Sequence, residues 1–252
     1  MGIALSVVIP AFNEAGRIGR TLAAVRSYLV DLPFASEIIV VDDGSRDATA
    51  ARAREALAGF AEARILVLPE NRGKGAAVKA GVLEARGEMI LFSDADLSTP
   101  IEELGKLLRP VREGADAAIG SRALPGADIR VRQKGLREGM GKTFNRLVRL
   151  LVLRGIPDTQ CGFKLFRREP ALDVFGETST CGFCFDVEVL ALCAKRGYRV
   201  EQVPVVWADS PPSRVRLLRS SAEMIADLFR IRRGLRARGK GPATRPTSPR
   251  GR

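Results

Sequence analysis

Leu91–Pro100 reads LFSDADLSTP, the end of an apolar run that starts at Met89 and stops at two carboxylates one residue apart, Asp94 and Asp96. A buried strand that delivers Asp-x-Asp at its carboxyl end is a natural holder for a hard divalent cation. Mg²⁺ or Mn²⁺ takes oxygen ligands, one or two of them carboxylates, and keeps positions open for substrate phosphates. The same residues also suit a strand followed by a polar turn that caps the next helix. The flanking segments decide what the stretch belongs to.

Outward from it, short β-branched runs recur, each followed by a polar segment and a helical pattern. Leu5–Pro10 (LSVVIP) is stopped by proline. Glu37–Val41 (EIIVV) ends in Asp42-Asp43-Gly44-Ser45, and Arg64–Leu68 (RILVL) leads to Asn71-Arg72-Gly73-Lys74-Gly75. With Glu88–Ser93 and Ala115–Gly120 these read as five strands. Between them, a helix opens at Asn13 or Glu14 with Ile18, Leu22, Val25 and Leu29 at helical spacing, and Asp47 caps a helix to Ala58. Two more cover Ala76–Ala85 and Ile101–Val111, the latter with Pro100 at its first turn. Strands alternating with helices predict an α/β fold with a parallel, doubly wound sheet. Ligands bind outside the carboxyl ends of such strands. That edge gathers Pro10–Glu14, Asp42–Ser45, Asn71–Gly75 and Asp94–Asp96.

After Gly120 the alternation breaks. Ser121–Lys134 reads as a long loop, Lys142–Leu153 as a helix, Phe163–Arg168 as a strand and Phe185–Arg196 as a helix. Tyr198–Val206 reads as extended, and Arg216–Arg236 as a basic helix. The stretch 237–252 is a basic tail, poor in apolar residues and expected to be disordered.

The 252 residues are enough for one substantial core. No run approaches the roughly 20 apolar residues of a membrane span, and the N-terminus lacks the pattern of a signal peptide. Four irregularly spaced cysteines make no disulfide framework, so a reducing cytosol is expected. With no histidine, His-based triads and His–metal clusters are excluded, leaving carboxylates, arginines, lysines and a metal. A net charge of +12 calls for an anionic partner: nucleic acid, lipid headgroups or a phosphorylated substrate. Few aromatics and no recognition motif count against a nucleic-acid-binding protein.

Several motifs keep two readings. Asp42-Asp43-Gly44-Ser45 offers acceptors to the N–H of a pyrimidine base, or forms a capped turn. Asn71–Gly75 opens a helix and offers backbone N–H groups, a helix dipole and two cations to a phosphate. It matches neither Gly-x-x-x-x-Gly-Lys-Ser/Thr nor Gly-x-Gly-x-x-Gly. Cys181-Gly-Phe-Cys184 has the spacing of a redox pair, but structural reduced thiols suit its surroundings better. Lys142–Leu153 and Arg214–Arg238 mix apolar residues with arginines. Such helices suit an anionic membrane surface, or a core contact with a solvated cationic face.

Taken in order, VVIPAFNE, IIVVDDGSRDAT, ENRGKGAAVKAG, ILFSDADLSTP and IGSR resemble the family 2 glycosyltransferases of the GT-A fold. Downstream, DTQCGFKLF, FDVE and Val205-Val206-Trp207 are similar to the dolichyl- or polyprenyl-phosphate β-glucosyltransferases, with polyprenyl-phosphate mannose synthases as relatives. The resemblance implies one GT-A domain over 1–236, with a Rossmann-like, mostly parallel sheet and C-terminal basic amphipathic helices. Its nucleotide-binding half would be about 1–122 and its acceptor-binding half about 123–236.

The resemblance also implies site roles. Pro10, Ala11, Asn13, Glu14, Asp42, Asp43, Arg72, Lys74, Ala95 and Arg214 would bind the nucleotide sugar. Asp94 and Asp96 would share that task and bind Mg²⁺ or Mn²⁺. Ser98 stands where relatives place an amide, so the third protein ligand stays open. Arg122 and Arg137 would meet the acceptor phosphate. Gln160, Asp186 and Glu188 would orient acceptor or sugar, although Asp186 and Glu188 also suit surface charges and a helix cap. The implied activity is inverting transfer of glucose from UDP-glucose to a polyprenyl phosphate, with GDP-mannose as the alternative donor. The implied location is peripheral, on the cytoplasmic face of an anionic membrane.

Overall fold

The computed structural model describes residues 2–131, 135–209 and 217–237, excluding the side chains of 135–138, 140, 142 and 217–222. Strands β1 (Leu5–Ala11), β2 (Ser36–Asp42), β3 (Ala63–Val67), β4 (Met89–Ser93) and β5 (Ala117–Ser121) alternate with helices α1 (Ile18–Val30), α2 (Thr49–Ala56), α3 (Lys74–Glu84) and α4 (Leu104–Arg112). A single 3₁₀ turn at Ile101–Glu103 precedes α4. There follow β6 (Asp128–Val131), α5 (Gly135–Leu151), β7 (Phe163–Arg167), α6 (Arg168–Glu177), α7 (Phe185–Arg196), β8 (Val200–Pro204), β9 (Val206–Ala208) and α8 (Leu217–Ala237).

Seven strands form one sheet in the order β3-β2-β1-β4-β7-β5-β8, and β6 pairs with β9 in a small second sheet. All neighbours in the large sheet are parallel except β7, which runs antiparallel between β4 and β5. It brings Phe163 opposite Ser93 and Lys164 opposite Phe92. This reversal delivers the start of β7 to the edge where β1, β2 and β4 end.

The sheet is covered on both faces, which explains why its strands read as continuous apolar runs. Successive residues alternate between two cores. Val7, Ile9, Ile38, Val40 and Leu91 pack with Ile18, Leu22 and Val25 of α1 and Leu104 and Leu107 of α4. Val8, Ile39, Val41, Ile90 and Phe92 pack with Val78 of α3, Phe175 of α6 and Phe185 of α7. A third cluster joins Val148 of α5, Val187 and Leu190 of α7, and Leu228 and Ile231 of α8. Each fully buried Leu, Ile, Val or Phe contributes about 1.5–3 kcal/mol of transfer free energy.

The expected loop over Ser121–Lys134 contains β6, and the expected extended segment Tyr198–Val206 is two strands on two sheets. Only four residues long and mostly exposed, β6 is specified by its non-local pairing with β9. Helix α6 carries Pro170 in its first turn, where the missing N–H costs no helical bond. The tail beyond Ala237 lies outside the described residues.

Candidate active site

The carboxyl ends of β1, β2 and β4, the start of α3 and the start of β7 converge on one edge. Strand β1 carries Pro10 and Ala11, both buried, to a turn at Asn13. Asn13 has φ 55°, a left-handed conformation that asparagine tolerates better than most residues. Its N–H donates to Ser45 Oγ (2.8 Å), and its Oδ1 accepts the Arg46 N–H (2.9 Å). The Glu14 N–H donates to Thr49 Oγ1 (2.7 Å), while its carboxylate pairs with Arg17. These bonds fasten the loop after β1 to the loop after β2.

The two aspartates at the end of β2 are buried and point to separate tasks. Asp42 Oδ1 accepts the Ser45 N–H (2.9 Å), closing the turn. Asp43 accepts the backbone N–H groups of Arg72 and Gly73 (each 2.8 Å) and the Asn71 amide (2.9 Å). Burial pushes the Asp43 carboxyl above its usual range, and the loop N–H groups pull it back in part. Asp43 is thus the anchor of the glycine-rich loop.

That loop does not offer its backbone outward as the sequence suggested. The N–H groups of Arg72 and Gly73 go to Asp43, and those of Gly75 (2.7 Å) and Ala76 (3.3 Å) go to the Cys181 carbonyl. Four N–H groups around the start of α3 are thus bonded within the protein, which reduces what the backbone of Asn71–Gly75 offers to a ligand. A side chain at Gly75 would strike Thr180 and Phe185, which explains glycine there.

Strand β4 ends at Ser93 and delivers the Asp-x-Asp turn. The Asp94 N–H donates to the Gly162 carbonyl (3.0 Å), and Thr21 Oγ1 donates to the carbonyl of Ala95 (2.6 Å). Leu97 completes the turn at φ 47°. A bulky residue in that conformation stores strain of about 1–2 kcal/mol. Asp94 Oδ1 forms an ion pair with Lys74 Nζ at 2.6 Å. Burial acts to lower the Lys74 pKa, but the charges of Asp94 and Asp186 outweigh it and hold the ammonium above its ordinary range. Asp96 is pushed up by burial and then by the charge of Asp94, while Ser98 N–H, 2.9 Å from Oδ1, opposes this.

Two carboxylates one residue apart in a partly closed cleft, with Asp96 pushed up by burial and by the charge of Asp94, are a good fit for a divalent cation, which would relieve the repulsion. Among the described residues, His, Cys, Asp and Glu do not gather in a group of three or more. Two carboxylates match the Mg²⁺ or Mn²⁺ pattern in which substrate oxygens complete the shell. The cleft beside Asp94 is lined by Leu97, Ser98, Gly162 and Trp207.

Across the cleft, Arg122 follows β5. Its Nε and a terminal nitrogen grip Asp158 at 2.8 and 2.7 Å, its backbone N–H adds a third bond (2.8 Å), and its guanidinium stands 5.3 Å from the Trp207 ring centre. Burial favours the neutral form of Asp158, yet the Arg122 hydrogen bonds and charge hold its carboxyl below the usual range. Gln160 donates to the Phe183 carbonyl (3.1 Å).

Asp186 and Glu188 are neither surface charges nor free caps. Asp186, 3% exposed, pairs at 2.5 Å with Lys164, which is wholly buried. Glu188 accepts the N–H groups of Ser179 (3.0 Å) and Thr180 (2.7 Å), bracing the segment that carries Cys181. All four cysteines are free. Burial raises the Cys184 thiol to about 12, against thiolate chemistry in the Cys-x-x-Cys pair. The Arg137 side chain and Arg214 lie outside the described residues.

The edge therefore unites Asn13, Glu14, Asp42, Asp43, Arg72, Lys74, Asp94 and Asp96, with Arg122 near enough to Asp94 to feel its charge. Sequence reasoning missed Gly162, Lys164 and Asp158. A Cβ on Gly162 would lie 2.0 Å from Asp94 Oδ2, so only glycine leaves room for that carboxylate. The signal was present in Asp158–Phe166 as a glycine before an apolar strand, but its partner is remote in sequence.

Residues 6–175 match the model of Glycosyl transferase family 2. The chain is 39% identical over 235 residues to dolichyl-phosphate beta-glucosyltransferase ALG5C of Trichomonas vaginalis, covering 89% of this chain and 69% of that protein. It is 35% identical over 249 residues to the dolichyl-phosphate beta-glucosyltransferase of Saccharomyces cerevisiae (91% and 74% covered). The Homo sapiens protein of that name is 36% identical over 241 residues (90% and 74%). Among solved structures, glucosyl-3-phosphoglycerate synthase from Mycobacterium tuberculosis with Mn²⁺, UDP and glucosyl-3-phosphoglycerate is similar at a TM-score of 0.70. It is 23% identical, with 91% of this chain and 80% of that chain covered. The same enzyme with Mg²⁺ and UDP gives 0.69 at 23% identity, with 91% and 79% covered. At such identity the likeness speaks to fold.

Proposed function

The chain belongs to glycosyl transferase family 2 and has the GT-A fold, and from that premise we propose that it transfers glucose from UDP-glucose to a dolichyl-type polyprenyl phosphate with inversion. The observation that carries this reading is identity of 34–39% across about nine-tenths of the chain to enzymes named dolichyl-phosphate beta-glucosyltransferase. The site at the sheet edge supports it. The nucleotide-binding half is 1–122, the acceptor-binding half 123–236.

Asp94 and Asp96 would hold Mg²⁺ or Mn²⁺ in this reading, with Ser98 beside them. When bound, the cation would supply Lewis-acid neutralisation of charge on the leaving diphosphate. The chain's own residues do the rest. Pro10, Ala11, Asn13 and Glu14 form one wall of the nucleotide pocket, and Asp42 and Asp43 shape its floor. Lys74 and Arg72 stand on the donor side as fixed positive charge where negative charge grows, the preorganised electrostatics that phosphate chemistry relies on.

Arg122, held rigid by Asp158, faces the acceptor, and Arg137 and Gln160 belong to that side. An acceptor phosphate oxygen attacks the anomeric carbon as the bond to UDP breaks. UDP leaves with the bonding pair, and α becomes β. The phosphate is already anionic near neutral pH, so no proton needs to be removed, and a chain without histidine is equal to the task.

The acceptor side continues into a surface suited to lipid. Leu150 of α5 is 76% exposed and Phe229 of α8 56%, amid exposed Arg146, Arg149, Arg230 and Arg233. Apolar side chains among arginines fit an anionic bilayer surface. Among the described residues no helix is long and apolar enough to cross a membrane. We assign a peripheral position on the cytoplasmic face.

Thermal unfolding with Mn²⁺ and single nucleotides tests the donor. UDP and UDP-glucose should raise Tm while GDP and GDP-mannose leave it unchanged. Stabilisation by GDP-mannose alone would overturn the glucose assignment.

A further inference from the structure

Lys164, the second residue of β7, is a fully buried lysine, a placement that needs a strong reason. It sits on β7 opposite Phe92 of β4 and Ile119 of β5. Its Nζ donates to Asp186 Oδ1 (2.5 Å) on the first turn of α7 and to the Cys161 carbonyl (2.6 Å), and lies 5.0 Å from the Phe92 ring centre. A buried ion pair of this kind rarely adds net stability over apolar residues of the same volume. Stability is therefore a weak explanation for its presence.

Its second hydrogen bond points to a use. Cys161 precedes Gly162, whose carbonyl accepts the Asp94 N–H (3.0 Å) and whose missing side chain makes the space occupied by the Asp94 carboxylate. An error of a few tenths of an ångström in the 161–162 backbone would move Asp94 directly. From Asp186 the connections run through Lys164 and the Cys161 carbonyl to Gly162 and then Asp94. Asp186 also acts electrostatically on Lys74, which pairs with the same Asp94.

We propose that the Lys164–Asp186 ion pair is a positioning device for Asp94, fixing the 161–162 backbone so that the Asp94 carboxylate is set for a divalent cation. Lys164 and Asp186 touch neither cation nor substrate in this arrangement. They are positioning residues, and Asp186 acts from behind the site instead of on the sugar. The proposal rests on the reading of Asp94 and Asp96 as the cation's ligands.

The test is Mn²⁺ binding in the presence of UDP, followed by electron paramagnetic resonance, with thermal unfolding alongside. The variant K164M/D186L removes one charge of each sign, so the net charge of the protein is unchanged while the anchoring is lost. Partners that orient metal ligands typically change metal affinity by about 10–100-fold. The folded double variant should show a Mn²⁺ dissociation constant raised at least about tenfold, with little change in Tm. If the double variant fails to fold, D186E keeps both charges but displaces the ammonium by a methylene, and the same weakening is expected. Unchanged Mn²⁺ affinity in a folded variant, whatever its Tm, overturns the proposal. Wild-type protein that fails to bind Mn²⁺ with UDP overturns the underlying metal-site reading instead, and the positioning role with it.

Discussion

Lys74 Nζ lies 2.6 Å from Asp94 Oδ1, so the first residue of α3 and the first residue after β4 share one ion pair at the sheet edge. If Asp94 binds the metal as proposed, a lysine in contact with it competes with the metal while supplying charge for the donor diphosphate. The variant K74M should therefore change two affinities in opposite directions. Mn²⁺ alone should bind about tenfold tighter, the modest end of what a contact ion pair at intermediate dielectric implies. UDP in the presence of Mn²⁺ should bind more weakly by a similar factor. Titrations of Mn²⁺ with and without UDP separate the two, and parallel changes would refute the competition.

Gly162→Ala tests the packing of Asp94. The added methyl would meet Asp94 Oδ2 at 2.0 Å, far inside contact distance. The carboxylate must move by an ångström or more, and a misplacement of that size can cost about 10²-fold in rate. Transfer activity should fall by about that factor, while circular dichroism stays that of wild type. Wild-type activity in G162A would show that the position of Asp94 is not limiting.

The Arg122–Asp158 pair makes a stability prediction. Asp158 is 2% exposed and its carboxyl is held below the usual range by Arg122, after burial has been overcome. A group with a depressed folded pKa contributes stability that is complete above its unfolded value, about 3.9, and lost as pH falls toward the folded value. Asp158→Asn should cost about 3 kcal/mol near neutral pH, since it strands a largely buried guanidinium. The gap to wild type should shrink below about pH 4. Urea unfolding at pH 7 and pH 3.5 measures both, and a gap that widens in acid would contradict the sign.

Charge reversal on exposed arginines of α5 and α8 probes the surface proposed to face lipid. Arg146, Arg149, Arg230 and Arg233 are exposed there beside Leu150 and Phe229. Changing all four arginines to glutamate should lower partitioning onto phosphatidylserine-containing vesicles by about a hundredfold or more at low salt. Neutral vesicles should show a much smaller change, and equal binding of both proteins to anionic vesicles would remove the assignment.

Much of the edge was legible in sequence because its signals are local. The runs LSVVIP, EIIVV and RILVL announce buried strands, and each is followed by the polar segment that a doubly wound sheet places at its ligand edge. What was not legible is what those polar groups bind within the protein. Asp43 has the same appearance whether it takes a base or the N–H groups of Arg72 and Gly73. Asp186 reads as a sugar-orienting residue or a surface charge at a helix start because its buried partner, Lys164, belongs to a strand whose reversed direction has no local signature. The N–H groups of Gly75 and Ala76 read as an anion site until the Cys181 carbonyl is found against them. Strand β6 was invisible for the same reason, since its partner β9 is remote in sequence.

The central claim is metal-supported transfer of glucose to a lipid phosphate by a site organised around Asp94 and Asp96. Its most direct test is the labelling of dolichyl phosphate from radioactive UDP-glucose, with Mg²⁺ or Mn²⁺, by wild type and by Asp96→Ala. Wild type should yield a labelled glucosyl phospholipid. Chelation or Asp96→Ala should reduce it at least about a hundredfold, the scale of losing a preorganised charge-stabilising group, in a protein that remains folded. Full activity in Asp96→Ala, or no labelled lipid from UDP-glucose with wild type, would contradict it.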